Sequence, residues 1–475
     1  MYDIISSNNN LPEPDYSAET GHWVETEFNS ANFQDLRLNL RFSSILKSFL
    51  NAPNESIPKA AITWKDTKAT YRFLNNENVS PDAILEPHQL STSARLQNQK
   101  IVLAVQDTTI LNYTSHPSVK GLGPIGKEDQ TLMGMLVHPT IAFTPDKVPL
   151  GIIHQQVWTR PIDKVNKKNH PAKPIDQKES QKWFNSYIAL KVLQNKMPDT
   201  TFISIGDREA DIADLFQLAL SSDTNPDLLI RASCDRRLEH PLIYLWSCLE
   251  TQNLAGTFQL IVPRKNGKPS RNAVIEVRFS NVSLKPTKSK KNDQTINLCA
   301  VYANEVNTPA NEEPVSWMLL TTLSVKSFDD ALLCIKYYSV RFSIELFFKT
   351  LKDGCKIEKR QLKSVEALKS CLALYSIVAY RILFLTMIGR TLPDIPCTAI
   401  FQDYEWKSLY CFVNKTKSPP KKPPTLKQAI TMIAQLGGFL NRKSDGFPGT
   451  KSLWKGLSAL YFISLSWTVF GPESS

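Results

Sequence analysis

The stretch from residue 101 to residue 231 constrains the fold more than any other part of the chain. Apolar runs of strand character, at 101–105, 109–113, 132–143 and 148–157, follow one another before any helical segment. A helical stretch at 179–193 then leads into a run at 202–205, a helix at 210–219 and a further run at 228–231. Strands joined by short connections pair antiparallel. Strands separated by helices pair parallel and carry those helices on the sheet faces.

This order predicts an α/β fold, a ribonuclease H-like core in which antiparallel strands come first and helix and strand then alternate. Strand-rich runs at 258–262, 273–279, 296–302 and 317–322, joined by the basic loop 285–291, predict an inserted β subdomain at about 236–325. Helical periodicity resumes over 329–353, with Gly354 as its stop, and again over 364–389. Residues 1–80 form a small basic helical unit, in which Leu36, Leu38, Leu40 and Phe42 lead into Ile45, Leu46, Phe49 and Leu50. Within it, 64–74 mixes aromatics with cations as a DNA-docking face would, or as a packed amphipathic helix with a solvated basic side. The Pro- and Lys-rich stretch 415–424 predicts an extended, mobile linker that fences off a helical C-terminal unit. The expected domains are therefore 1–80, 81–391 with the β insertion, and 392–475.

Charge narrows the partners. The chain of 475 residues has 56 Lys+Arg against 45 Asp+Glu, a formal +11, which suits a polyanion as well as it suits plain solubility. Its eight cysteines make no Cys-x-x-Cys pair and no zinc-like spacing with histidine, so reduced, mostly buried thiols are expected. The polar start at 1–14 lacks the pattern of a signal peptide. The most apolar window, 371–388, contains Arg381 and reads as a buried core helix rather than a membrane span. A cytoplasmic, nucleoid-associated protein of a bacterial cell, not secreted and without a membrane partner, is the expectation.

Against this basic background, Asp107 and Asp207 each follow directly on an apolar strand, and Glu345 stands inside a helical segment. Acids so placed can hold two divalent cations about 3.5–4 Å apart for in-line attack on a phosphodiester. Plainer readings exist: a bend acid for Asp107, a helix N-cap for Asp207. Glu209 and Asp211 suit the first turn of a helix. On a helix over 329–353, Tyr338, Arg341, Glu345, Lys349 and Lys352 recur at three- and four-residue spacing and share one face. Such a stripe is either a solvated surface with weak intrahelical ion pairs or a metal ligand set among donors that grip phosphates.

The spacing Tyr338-(2)-Arg341-(3)-Glu345-(6)-Lys352 resembles the YREK signature of the IS-four family of DDE transposases. The likeness extends to Thr70-Tyr71-Arg72-Phe73, Asn78-Val79-Ser80, Asp107-Thr108-Thr109, Lys178-Glu179-Ser180, Lys182-Trp183, the block 207–212, Trp317 and Leu436-Gly437-Gly438-Phe439. Phe342, Ser343 and Leu346 depart from the family pattern around the signature. The resemblance implies that Asp107, Asp207 and Glu345 are a catalytic triad binding Mg²⁺ or Mn²⁺. It implies that Tyr338, Arg341, Lys352, Lys349 and Arg231 contact DNA, and that Trp317 stacks on a flipped base, although a buried strand tryptophan is the plainer reading. It further implies cut-and-paste transposition through a hairpin, with double-stranded transposon ends and target DNA as substrates and a C-terminal domain that supports a homodimer. A catalytically silent DNA-binding regulator and a two-metal hydrolase without strand joining are the alternatives.

Overall fold

The structure is a computed structural model that describes residues 3–4, 23–126, 131–162, 178–239, 243–262, 270–285 and 295–471. The basic loop expected at 285–291 lies, beyond Lys285, outside the described residues, as does most of 1–14.

A short strand β1 (Asp3–Ile4) precedes the helices α1 (Trp23–Glu27), α2 (Leu36–Asn51), α3 (Ile57–Ala61), α4 (Trp64–Leu74) and α5 (Pro81–Leu96). Their starts are written in the sequence, because Asp35, Thr63 and Ser80 each accept a backbone N–H of the first turn. Helix α2 buries Phe42, Ile45, Leu46 and Phe49, one helical stripe, against the core.

The core sheet holds β2 (Ile101–Gln106), β3 (Thr109–Asn112), β4 (Gly123–Pro124), β5 (Met133–Phe143) and β6 (Pro149–Trp158). After α6 (Gln181–Lys196) come β7 (Thr201–Gly206), a 3-10 turn (Arg208–Ala210), α7 (Ala213–Leu220) and β8 (Asp227–Arg231). In space the order is β6-β5-β2-β7-β8, with β5 antiparallel to β6 and β2, and β2, β7 and β8 mutually parallel. This is the ribonuclease H-like arrangement expected from element order. The expected helix at 210–219 is shorter, since the 3-10 turn takes its first residues.

Helix α8 (Leu245–Glu250) and strands β9 (Gly256–Val262), β10 (Arg271–Leu284), β11 (Ile296–Val306) and β12 (Ser316–Thr321) form the insertion. It is no separate sheet: β12 pairs antiparallel with β8, Leu320 beside Ile230, and extends the core sheet outward through β11, β10 and β9.

The helix expected over 329–353 is broken. It consists of α9 (Phe328–Ser339), α10 (Phe342–Lys349) and a π-helical turn (Thr350–Gly354). At the break, the Ser339 hydroxyl donates to the Lys336 carbonyl, a back-bond that bends helices, and Val340 and Arg341 bond only three residues back. Val340 and Arg341 nevertheless keep right-handed helical backbone angles, so Tyr338 lies in the last turn of α9 and Arg341 opens α10 across a short interruption of the helical hydrogen bonds.

Helix α11 (Val365–Thr391) is long and apolar enough to cross a membrane, yet its most apolar window is wholly enclosed by protein. Each fully buried Leu or Ile there contributes about 1.5–3 kcal/mol. Helices α12 (Asp403–Asn414), α13 (Leu426–Leu436) and α14 (Thr450–Phe470) complete the chain. The Pro- and Lys-rich stretch does not fence off a unit. It joins α12 to α13, and α12 packs back on α14, where the Ser408 and Ser464 hydroxyls lie 3.1 Å apart. All eight cysteines are free thiols, and burial pushes Cys334, Cys355, Cys371 and Cys397 up to about 12.

Candidate active site

Parallel strands β2 and β7 are paired with Val105 beside Ile205. Two residues further along each strand comes a carboxylate, so Asp107 and Asp207 stand level at the C-terminal ends of neighbouring strands, where open α/β sheets receive ligands. The ladder of β2 stops there for a reason on β5. Gln106 pairs with Thr140 and Thr109 with Val137, which sets Asp107 and Thr108 opposite Pro139 and His138. Pro139 has no N–H to give, and β2 and β3 are separated at those two positions.

Strand β7 ends at Gly206. A Cβ there would lie 2.5 Å from the Ala210 Cβ and 3.1 Å from the Trp183 ring, so only glycine permits the tight turn that follows. Asp207 caps this turn, its Oδ1 accepting the Glu209 N–H at 2.9 Å. The N-cap reading is thus correct for one of its oxygens. Glu209 lies in the first turn of this short helix, as expected, and pairs with Lys182, 2.9 Å away. Asp211 is not simply a first-turn acid: it is buried and bonds Arg236 and the Ser233 hydroxyl and N–H.

Arg341, at the junction of α9 and α10, reaches the sheet. Its Nη1 donates to Asp107 Oδ2 at 3.0 Å and its Nη2 to Glu345 Oε1 at 2.7 Å, so one guanidinium links a strand-end acid to the helix acid. Burial first, and the negative charge of Asp207 second, push Asp107 up to about 6 against the pull of Arg341. One cation is shared among carboxylates that outnumber it.

Tyr338 is buried, edge-on to Trp317 with ring centroids 6.0 Å apart. Arg231, at the end of β8, donates to the Ser316 carbonyl at 2.9 Å and lies beside Tyr338. Burial holds the Arg231 guanidinium below its ordinary range. Arg231, Tyr338 and Arg341 therefore gather at one place. Lys349 is exposed at the end of α10, and Lys352 is half-buried in the π-helical turn. Trp317 is 3% exposed, packed on Tyr338 and Phe342, and in this conformation has no room for a base.

Three carboxylates are the hard oxygen donors that suit Mg²⁺ or Mn²⁺, and the guanidinium between Asp107 and Glu345 stands where positive charge is wanted. The donor chemistry fits. As the side chains stand, however, no three His, Cys, Asp or Glu residues among the described residues are drawn together closely enough to hold a metal.

Beneath the acids lie Gln106, His138 and Ser204, which sequence reading passed over, and Trp183, which entered only as part of the family likeness; all four are buried. The available signal was polar residues within otherwise apolar strands, with Pro139 next to His138.

Comparison with known proteins places two segments. Residues 20–79 match the family model described as transposase DNA-binding, and residues 377–466 match the transposase Tn5 dimerisation domain. Among solved structures, the chain has a distant likeness to a piggyBac transposase synaptic complex with hairpin DNA, seen by cryo-EM. Identity is 10% over 80% of this chain and 77% of that one, with a TM-score of 0.35.

Proposed function

Carrying both of these segments, the chain belongs to the Tn5-like transposases, with DNA and a second copy of itself as partners, and on that footing we propose that it is a cut-and-paste enzyme whose catalytic acids are Asp107, Asp207 and Glu345. The observation that carries this reading is the registered pair Asp107 and Asp207, tied through Arg341 to Glu345.

The proposed reaction is a series of displacements at phosphorus. Water attacks at the element's end and frees a 3′-hydroxyl; this hydroxyl attacks the opposite strand and closes a hairpin. Water reopens the hairpin, and the resulting 3′-hydroxyl attacks target DNA. Asp107, Asp207 and Glu345 would hold Mg²⁺, or Mn²⁺ in its place, which when bound activates the attacking oxygen and neutralises charge on the leaving one.

The chain's own donors position the DNA. Arg341 would exchange its carboxylate partners for a phosphate, a bidentate contact that guanidinium geometry favours. Arg231 and Tyr338 flank it, while Lys349 and Lys352 would take phosphates further along the strand. Trp317 would stack on a flipped base only once uncovered from Tyr338 and Phe342. Such stacking is worth about 1–3 kcal/mol, comparable to the few kcal/mol that flipping requires.

The test is incubation of the purified chain with linear DNA bearing the element's own ends and Mg²⁺. Nicked, hairpin and strand-transfer products, all lost in Glu345→Gln, are expected. Binding without nicking, with no effect of Glu345→Gln, would leave only a DNA-binding regulator. Hydrolysis without hairpin or joined product would leave a nuclease.

A further inference from the structure

Asp107 and Thr108 fall in the gap between β2 and β3, so the sheet ladder does not hold the acid-bearing segment. A buried side-chain chain does so instead. Gln106 Nε2 donates to the Ser204 hydroxyl at 2.7 Å, which leaves Gln106 Oε1 to accept from His138 Nε2 at 3.1 Å. With its proton on Nε2, His138 uses Nδ1 to accept the Thr108 hydroxyl at 2.9 Å. Thr108 in turn donates its backbone N–H to Asp107 Oδ1 at 2.7 Å.

His138 itself is 0% exposed, and both ring nitrogens are satisfied, as an imidazole in a dry interior requires. Burial, reinforced by the positive charge of Lys182, holds it neutral, well below its ordinary range. Trp183 meets the ring edge-on at 4.7 Å, and the same indole closes against Gly206, immediately before Asp207. The strands that carry Asp107 and Asp207 thus share one support: the network joins β2, β5 and β7, and the indole braces it from α6.

We propose that His138 is a positioning residue for Asp107, fixing through the Thr108 hydroxyl the direction in which this carboxylate meets a divalent cation. The role rests on the function proposed above. An apolar residue in its place would pack the sheet equally well but would release the Thr108 hydroxyl, and with it the segment that no ladder bond restrains. Losing an outer support of a metal-binding side chain typically lowers metal affinity or activity about 10–100-fold.

The experiment uses the full-length chain and its variants His138→Phe, His138→Asn, Thr108→Val and the double variant His138→Phe/Thr108→Val. Mn²⁺ affinity of the free protein is read by electron paramagnetic resonance, beside thermal midpoint, affinity for end DNA, and nicking rate. His138→Phe and Thr108→Val should each weaken Mn²⁺ binding about 10–100-fold, leaving DNA affinity unchanged. The double variant should be no worse than the worse single one. His138→Asn, whose amide oxygen can still accept the Thr108 hydroxyl, should restore most of the loss. Thr108 is only half-buried, so its variant decides the matter even where His138→Phe folds poorly. Wild-type Mn²⁺ affinity in Thr108→Val, independent losses that multiply in the double variant, or a wild-type chain with no Mn²⁺ affinity would each overturn the role. A wild-type chain that binds Mn²⁺ through Asp207 but cuts no DNA would overturn the proposed function alone, and the variant affinities would still decide the role of His138.

Discussion

Two carboxylates in this molecule, the buried Glu27 and the half-buried Asp107, have arginine partners and histidines nearby, yet behave oppositely. Glu27, at the end of α1, accepts Arg95 Nη1 at 2.6 Å and Nη2 at 2.9 Å, and His88 Nδ1 at 2.5 Å. His88 Nε2 accepts the Ile152 N–H, which fixes its tautomer and ties α1, α5 and β6 together. Burial would raise Glu27, but the hydrogen bonds from His88 and Arg95, with the charge of Arg95, outweigh it and bring it down to about 2. Asp107 shares its one arginine with Glu345 and faces Asp207, and it rises to about 6. The difference lies in the ratio of cations to carboxylates. The Glu27 network is complete without any ligand, and the acids around Asp107 are short of positive charge.

The strongest way to break this contrast is Glu27→Gln. It leaves the half-buried Arg95 guanidinium facing an uncharged amide inside the fold and should destabilise the chain by about 3–5 kcal/mol, read as a lowered thermal midpoint. An unchanged midpoint would mean that the network contributes little. Acid should act on the same group. The folded value of Glu27 lies below its unfolded one, so its contribution is present above about pH 4.5 and is lost as the pH falls toward 2.

Asp107→Asn should do the reverse. The folded value of Asp107 lies above its unfolded one near 3.9, so its charge penalises the metal-free fold fully above about pH 6 and not at all below about pH 4. At neutral pH the variant should therefore be about 1–3 kcal/mol more stable without metal, the loss of the Arg341 contact offsetting part of the gain, while cleavage is abolished. Equal or lower stability in metal-free buffer would show that Arg341 already balances the site.

Glu209→Gln gives the smallest effect. The Glu209 charge contributes least to the upward shift of Asp107, so the pH at which Mn²⁺ binding falls off should move only slightly downward. A large movement would place Glu209 among the principal acids of the site.

The core strands and their order were legible because apolar runs and turn residues are local signals, and Asp107 and Asp207 were legible because they end such runs. Two things were not. The interruption after Ser339 accompanies a hydroxyl back-bond and the reach of Arg341 to Asp107, a residue 234 positions away, whereas periodicity alone reads the segment as one helix. His138 lies among apolar residues of β5, and its partners on β2 become visible only when the register is known. Trp317 carried an implied role in base stacking, but burial depends on what the insertion packs against, and here that is Tyr338 and Phe342.

As proposed above, Asp107, Asp207 and Glu345 would form a cation site that Arg341 fills in the absence of metal and DNA. Anomalous diffraction from crystals of the chain with end DNA and Mn²⁺ tests it most directly. An Mn²⁺ peak beside Asp107, Asp207 and Glu345, with Arg341 moved onto a phosphate, is expected. Arg341 still spanning Asp107 and Glu345, with no anomalous peak beside them, would contradict it.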